Sequence, residues 1–97
     1  MSNQQIATIL MDYAGFLSGR QSNLYRRQAY RRAAETLLRL EQPVEDIIER
    51  LGRHGLERLP GIGSHLSYTI EGLVRTGEFR TLSREDDPVD FQRTLAN

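Results

Sequence analysis

The stretch Leu59-Pro60-Gly61-Ile62-Gly63 constrains this chain more than any other. Proline presets the second position of a tight turn, and glycine takes the positive φ that the third position of a type II turn requires. Gly63 frees the backbone once more, just before Ser64, a favourable N-cap residue. Leu66, Ile70, Leu73 and Val74 then recur at the spacing of one helical face. The segment predicts a hairpin that feeds directly into a helix N-terminus. Unpaired N–H groups and the positive end of the helix dipole coincide there, which is how a backbone holds a phosphate. A Pro-Gly turn before a helix also serves purely structural ends, and the pentapeptide alone is compatible with both.

Ninety-seven residues suffice for one small domain with a single core. Cysteine is absent, which excludes a disulfide framework and thiol chemistry, and two histidines without thiolates do not make a structural zinc site. No run is long and apolar enough to span a membrane. The N-terminus lacks a basic-then-apolar signal, so the default compartment is the cytoplasm. Thirteen basic residues cancel thirteen acidic ones, and net charge gives no support to a nucleic-acid partner. The distribution is less even. Residues 1–40 carry six arginines against Asp12 and Glu35, a net +4, and five of the six fall between Arg20 and Arg32. Every basic residue in the chain is arginine; there is no lysine.

Ser2 or Asn3 can cap a first helix, in which Ile6, Ile9, Leu10, Tyr13, Phe16 and Leu17 follow the helical period up to a stop near Gly19. A second helix, capped by Asn23, runs from about Leu24 to about Leu40. At 100° per residue its inner side carries Tyr25, Ala29, Ala33, Thr36, Leu37 and Leu40. Arg27 and Arg31 point well away from that side, and Arg26 and Tyr30 lie near its edge. Four arginines within seven positions suit an anion-binding surface, or simply a solvated face. Pro43, Glu45 and Asp46 start a third helix whose buried side is Val44, Ile47, Ile48 and Leu51; Gly52 and Gly55 bracket its end. One further helical turn precedes the hairpin. The helix after it stops at Gly77, from which Phe79 and Leu82 fold back onto the core. The fold class is all-α, a compact domain of four to five helices.

Residues 5–82 resemble the N-terminal helix-hairpin-helix domain of family X (polymerase beta-like) DNA polymerases and related bacterial proteins. Ile6-Ala7…Leu10 carries the likeness in the first helix, and Asn23-Leu24-Tyr25-Arg26…Ala29-Tyr30-Arg31-Arg32-Ala33-Ala34 in the second. Leu59-Pro60-Gly61-Ile62-Gly63…Ile70-Glu71…Thr76-Gly77 completes it. The resemblance implies a domain over residues 1–82 that contains one helix-hairpin-helix motif and grips the DNA backbone. Its phosphate-binding positions match Gly61, Ile62, Gly63, Ser64 and His65. It also implies a monovalent cation, sodium or potassium, on the backbone carbonyls of Glu57, Leu59 and Ile62. Arg26 and Tyr30 match a pair that holds a 5′-phosphate at a gap, and Arg27 and Arg31 would engage neighbouring phosphates. Relatives of this kind also remove abasic sugar-phosphates through a lysine amine. The lysine positions match His65 and Thr69 here, threonine offers no amine, and arginine does not deprotonate. The remaining primary amine, on Met1, is expected at a frayed terminus.

From Ser83 to Asn97 the chain turns acidic at Glu85-Asp86-Asp87 and begins a new helix pattern at Pro88, the expected start of a further segment of a longer protein. The reading from sequence is a non-enzymatic, sequence-independent DNA-binding module acting in DNA repair or metabolism. The alternatives are the N-terminal domain of a repair polymerase and a protein-docking module on the same fold.

Overall fold

The computed structural model describes residues 1–18 and 24–81. The predicted stop at Gly19, the Asn23 cap, and everything from Leu82 onward lie outside the described residues. Those described form five helices and no strand: α1 (Asn3–Ser18), α2 (Leu24–Arg39), α3 (Val44–Leu51), α4 (Arg53–Leu56) and α5 (Ser64–Thr76). Among them, no helix is long and apolar enough to cross a membrane.

The choice between Ser2 and Asn3 resolves cleanly. The Ser2 hydroxyl accepts the Gln5 N–H at 3.1 Å while the Gln5 side chain accepts the Ser2 N–H at 2.7 Å, a reciprocal capping box. Asn3 instead pins α1 to the start of α3. Its Nδ2 donates to the Gln42 carbonyl at 2.8 Å and its Oδ1 accepts the Val44 N–H at 2.9 Å. The Met1 amine is not frayed, because it pairs with Glu45 at 2.8 Å. Glu45 and Asp46 sit in the first turn of α3, as predicted, where they complement the helix dipole.

Among the described residues, α1 and α2 make the most extensive helix pairing. Ile6, Leu10, Tyr13 and Leu17 of α1 are buried as expected, joined by Ala7 and Ala14. The inner side of α2 is rotated from the sequence reading. Tyr30, Ala33, Ala34 and Leu37 are buried, whereas Tyr25 is 73% exposed. Tyr30 is therefore a core residue, its ring 4.9 Å edge-on from that of Tyr13. Phe79 closes the same cluster at 4.4 Å from Tyr13, so the predicted return of the chain beyond α5 is real.

That return is held by Arg80. Its guanidinium stacks 3.9 Å from the Tyr68 ring centroid, and its Nε donates to the Tyr68 carbonyl at 3.2 Å. It also pairs with Glu71 at 3.2 Å, and the Thr69 hydroxyl donates to the Arg80 carbonyl at 2.7 Å. α3 and α4 approach closely at Gly55, where a Cβ would lie 2.6 Å from the Leu51 Cβ. Only glycine fits, which brings α4 and the hairpin behind it up against the core.

Candidate nucleic-acid interface

α4 is one turn long, but bonds to the third residue back carry its winding on to Leu59. Glu57, Arg58 and Leu59 donate to the His54, Gly55 and Leu56 carbonyls at 3.2, 3.4 and 3.0 Å. The chain then turns. The Ile62 N–H reaches the Leu59 carbonyl at 3.2 Å, and Gly61 sits at φ +77°, the positive value that a type II turn demands. Gly63 needs no such freedom. It is extended at φ −100°, and a Cβ there meets nothing within 4 Å. It is also Gly63, not Ser64, that stands at the N-cap; no side chain caps the helix, and Ser64 is its first residue. Ile62 differs from the expected role too: its side chain is buried and its amide closes the turn. The N-terminal amides of any α-helix have no carbonyl one turn earlier within that helix, and those of α5 begin beside the turn.

The hairpin and the first half of α2 enclose an open concavity of about 590 Å³. Gly61, Ile62, Gly63, Ser64 and His65 line one side of it, and Tyr25, Arg26, Tyr30 and Arg32 the other. Of the arginines expected at the site, Arg26 reaches it. Arg27 and Arg31 do not line it. Arg27 turns back to α1, where its Nη1 donates to Ser18 at 2.9 Å, and Arg31 stands exposed.

Arg32, to which the sequence reading gave no role, also lines the concavity. Its Cγ and Cδ each lie 2.9 Å from where a Gly61 Cβ would be. One helical turn further on, the Thr36 hydroxyl donates to the Pro60 carbonyl at 2.7 Å. The spacing of Tyr25, Ala29, Arg32 and Thr36 was a readable signal: it traces one helical stripe, and that stripe faces the hairpin.

Tyr30 and His65 meet at the floor of the concavity, with the phenol oxygen 3.2 Å from Nε2 and the rings edge to face. Tyr30 is 1% exposed, so it fixes the imidazole rather than presenting a free hydroxyl at the surface.

Glu57 is the second residue whose side chain sequence reasoning overlooked. Glu57 also lines the concavity. His54 Nδ1 lies 3.2 Å from Oε2, and the Ser67 hydroxyl 3.3 Å from Oε1. The hydrogen bond from His54, aided by Ser67 and the charge of Arg53, holds this carboxyl below its ordinary 4.5 against the opposing effect of burial.

Among the described residues, no three His, Cys, Asp or Glu side chains converge on a metal site. The hairpin carbonyls are a different donor set, composed of hard oxygens. Leu59 gives one lone pair to the Ile62 amide and keeps the other. Such oxygens fit an alkali cation.

The family model of the helix-hairpin-helix domain matches residues 1–79. Comparison with curated proteins gave no match. With the hairpin, its two flanking helices and the match in agreement, the chain belongs to the helix-hairpin-helix domain family, whose members are in general DNA-binding modules.

Proposed function

We propose that this chain is a non-enzymatic, sequence-independent DNA-binding module that grips the phosphate backbone and serves DNA repair or metabolism. The observation that carries the reading is the concavity in which Arg26 and Arg32 face the N-terminal turn of α5. The amides of Gly63, Ser64 and His65 hold one phosphate at the positive end of the helix. Arg26 and Arg32 bracket it from α2, and Arg31, exposed on the next turn, engages a neighbouring phosphate. Phosphate contacts fix position, not sequence. A sodium or potassium ion on the carbonyls of Glu57, Leu59 and Ile62 steadies the turn beside the bound anion.

Lyase chemistry is no part of this function. The chain has no lysine. Thr69 is buried with its hydroxyl given to the Arg80 carbonyl, and the Met1 amine pairs with Glu45 on α3. A Schiff base needs a free amine beside the sugar aldehyde.

The test is fluorescence anisotropy of a labelled gapped duplex at several salt concentrations. With ~3 phosphates engaged, log affinity falls against log salt with a slope of about −3. A flat response, or no binding at low salt, would instead favour a protein partner for the same surface.

A further inference from the structure

The chain returns from α5 beside the concavity. The Thr69 hydroxyl sits 3.3 Å from the His65 carbonyl oxygen and 2.7 Å from that of Arg80, so the backbone of residue 80 runs against the first turns of α5. One residue earlier, the Phe79 ring lies 6.2 Å from that of Tyr30, which meets His65 at the floor of the concavity. Arg80 anchors this run, its guanidinium stacked on Tyr68 and paired with Glu71.

Four to six residues after Thr81 the sequence reads Glu85-Asp86-Asp87. Even with Arg84 counted, residues 84–87 carry a net −2, and the function proposed above gives them no part. At about 3.3 Å per extended residue they reach about 13–20 Å from Thr81, enough to return to the concavity. Arg26 and Arg32 line it, and the one acidic residue on the described lining, Glu57, has its carboxylate engaged by His54 and Ser67. A carboxylate presents two oxygens to a guanidinium much as a phosphate does, and a short tether holds it at an effective concentration in the millimolar range. We propose that Glu85-Asp86-Asp87 folds back over the concavity and pairs with Arg26 and Arg32. The chain thus carries its own competitor for whatever anion the concavity takes.

Cysteine is absent from the chain, so a nitroxide on Val89→Cys reports where this segment lies. The label is expected to broaden the backbone amide signals of Arg26, Arg32 and Ser64. The broadening is expected to vanish in 1 M salt, where the Debye length is about 3 Å, and in a triple variant carrying Glu85→Gln, Asp86→Asn and Asp87→Asn. No broadening at those positions, or broadening that survives either change, overturns the inference; should the triple variant not fold, the salt comparison decides. In a titration with gapped duplex at low salt, the unlabelled triple variant is expected to bind about three- to tenfold more tightly than wild type. Exposed ion pairs are individually weak, so the competitor lowers affinity without abolishing it. A charge-matched control at exposed positions, Asp12→Asn with Glu41→Gln and Glu49→Gln, is expected to stay within about twofold of wild type. No gain in the triple variant, or an equal gain in the control, also overturns the inference, an equal gain reflecting net charge alone. If none of these chains binds DNA, the DNA reading falls and the broadening still decides this inference.

Discussion

Arg32 lies across Gly61: a methyl group at position 61 would sit 2.9 Å from both Cγ and Cδ of that arginine. The contact joins the helix that supplies the cations to the turn that supplies the amides. Gly61 is thus fixed twice, once by its φ of +77° and once by the side chain lying over it.

Gly61→Ala tests both at once. Forcing an L-residue into the left-handed region costs roughly 1–2 kcal/mol, and displacing the Arg32 stem adds to it. Urea denaturation is expected to show a loss of about 2 kcal/mol or more. Gly63→Ala, extended and with open space around its Cβ, is expected to stay within about 0.5 kcal/mol of wild type.

The arginines separate by position. Arg32→Ala is expected to weaken binding to duplex DNA by about three- to tenfold and to lower the salt slope by about 1. Arg27→Ala is expected to leave DNA affinity within about twofold and to cost about 0.5–1.5 kcal/mol of stability through its bond to Ser18. Anisotropy and denaturation on the same two variants give the comparison. Equal affinity losses would contradict the placement of Arg32 at the site.

Much of this fold was legible because its signals are local. Pro60-Gly61 fixes a turn, Pro43 with Glu45 and Asp46 starts a helix, and α1 shows its apolar period plainly. The phase of α2 was not legible. Ala29, Ala33 and Ala34 are too small to mark an inner face sharply, and tyrosine suits either a core or a rim. Tyr25 and Tyr30 consequently exchanged places. Arg32 escaped notice for a related reason: its stripe with Tyr25, Ala29 and Thr36 was readable, but what that stripe faces is set by an aliphatic stem laid on a glycine 29 positions away in sequence.

Glu57 gives the pH dependence a sign. Its folded-state carboxyl titrates below the ordinary 4.5, so the folded chain binds a proton less readily than the unfolded one. The stability it contributes is complete above that ordinary value and is lost as pH falls through the lower, folded-state value. Thermal melts between pH 6 and pH 3 are expected to decline less steeply for Glu57→Gln than for wild type. Parallel declines would show that the His54 and Ser67 contacts do not govern this carboxyl.

Tyr30→Phe removes the hydroxyl that holds His65 while keeping the ring in the aromatic cluster with Tyr13 and Phe79. The expected loss is about 0.5–1.5 kcal/mol in stability. DNA affinity is expected to drop only modestly, because the amides of α5 are unaffected. A loss of binding above about tenfold would mean the phenol itself touches the ligand.

Whether the hairpin amides hold the phosphate is read from their own NMR signals. A gapped duplex is titrated into isotopically labelled chain at low salt, and the backbone resonances of Gly61, Gly63, Ser64 and His65 are followed with the side-chain Nε–H signals of Arg26 and Arg32. These signals are expected to move together along one saturating curve while amides of α3 stay still. Shifts confined to another face, with the hairpin silent at saturation, would contradict it.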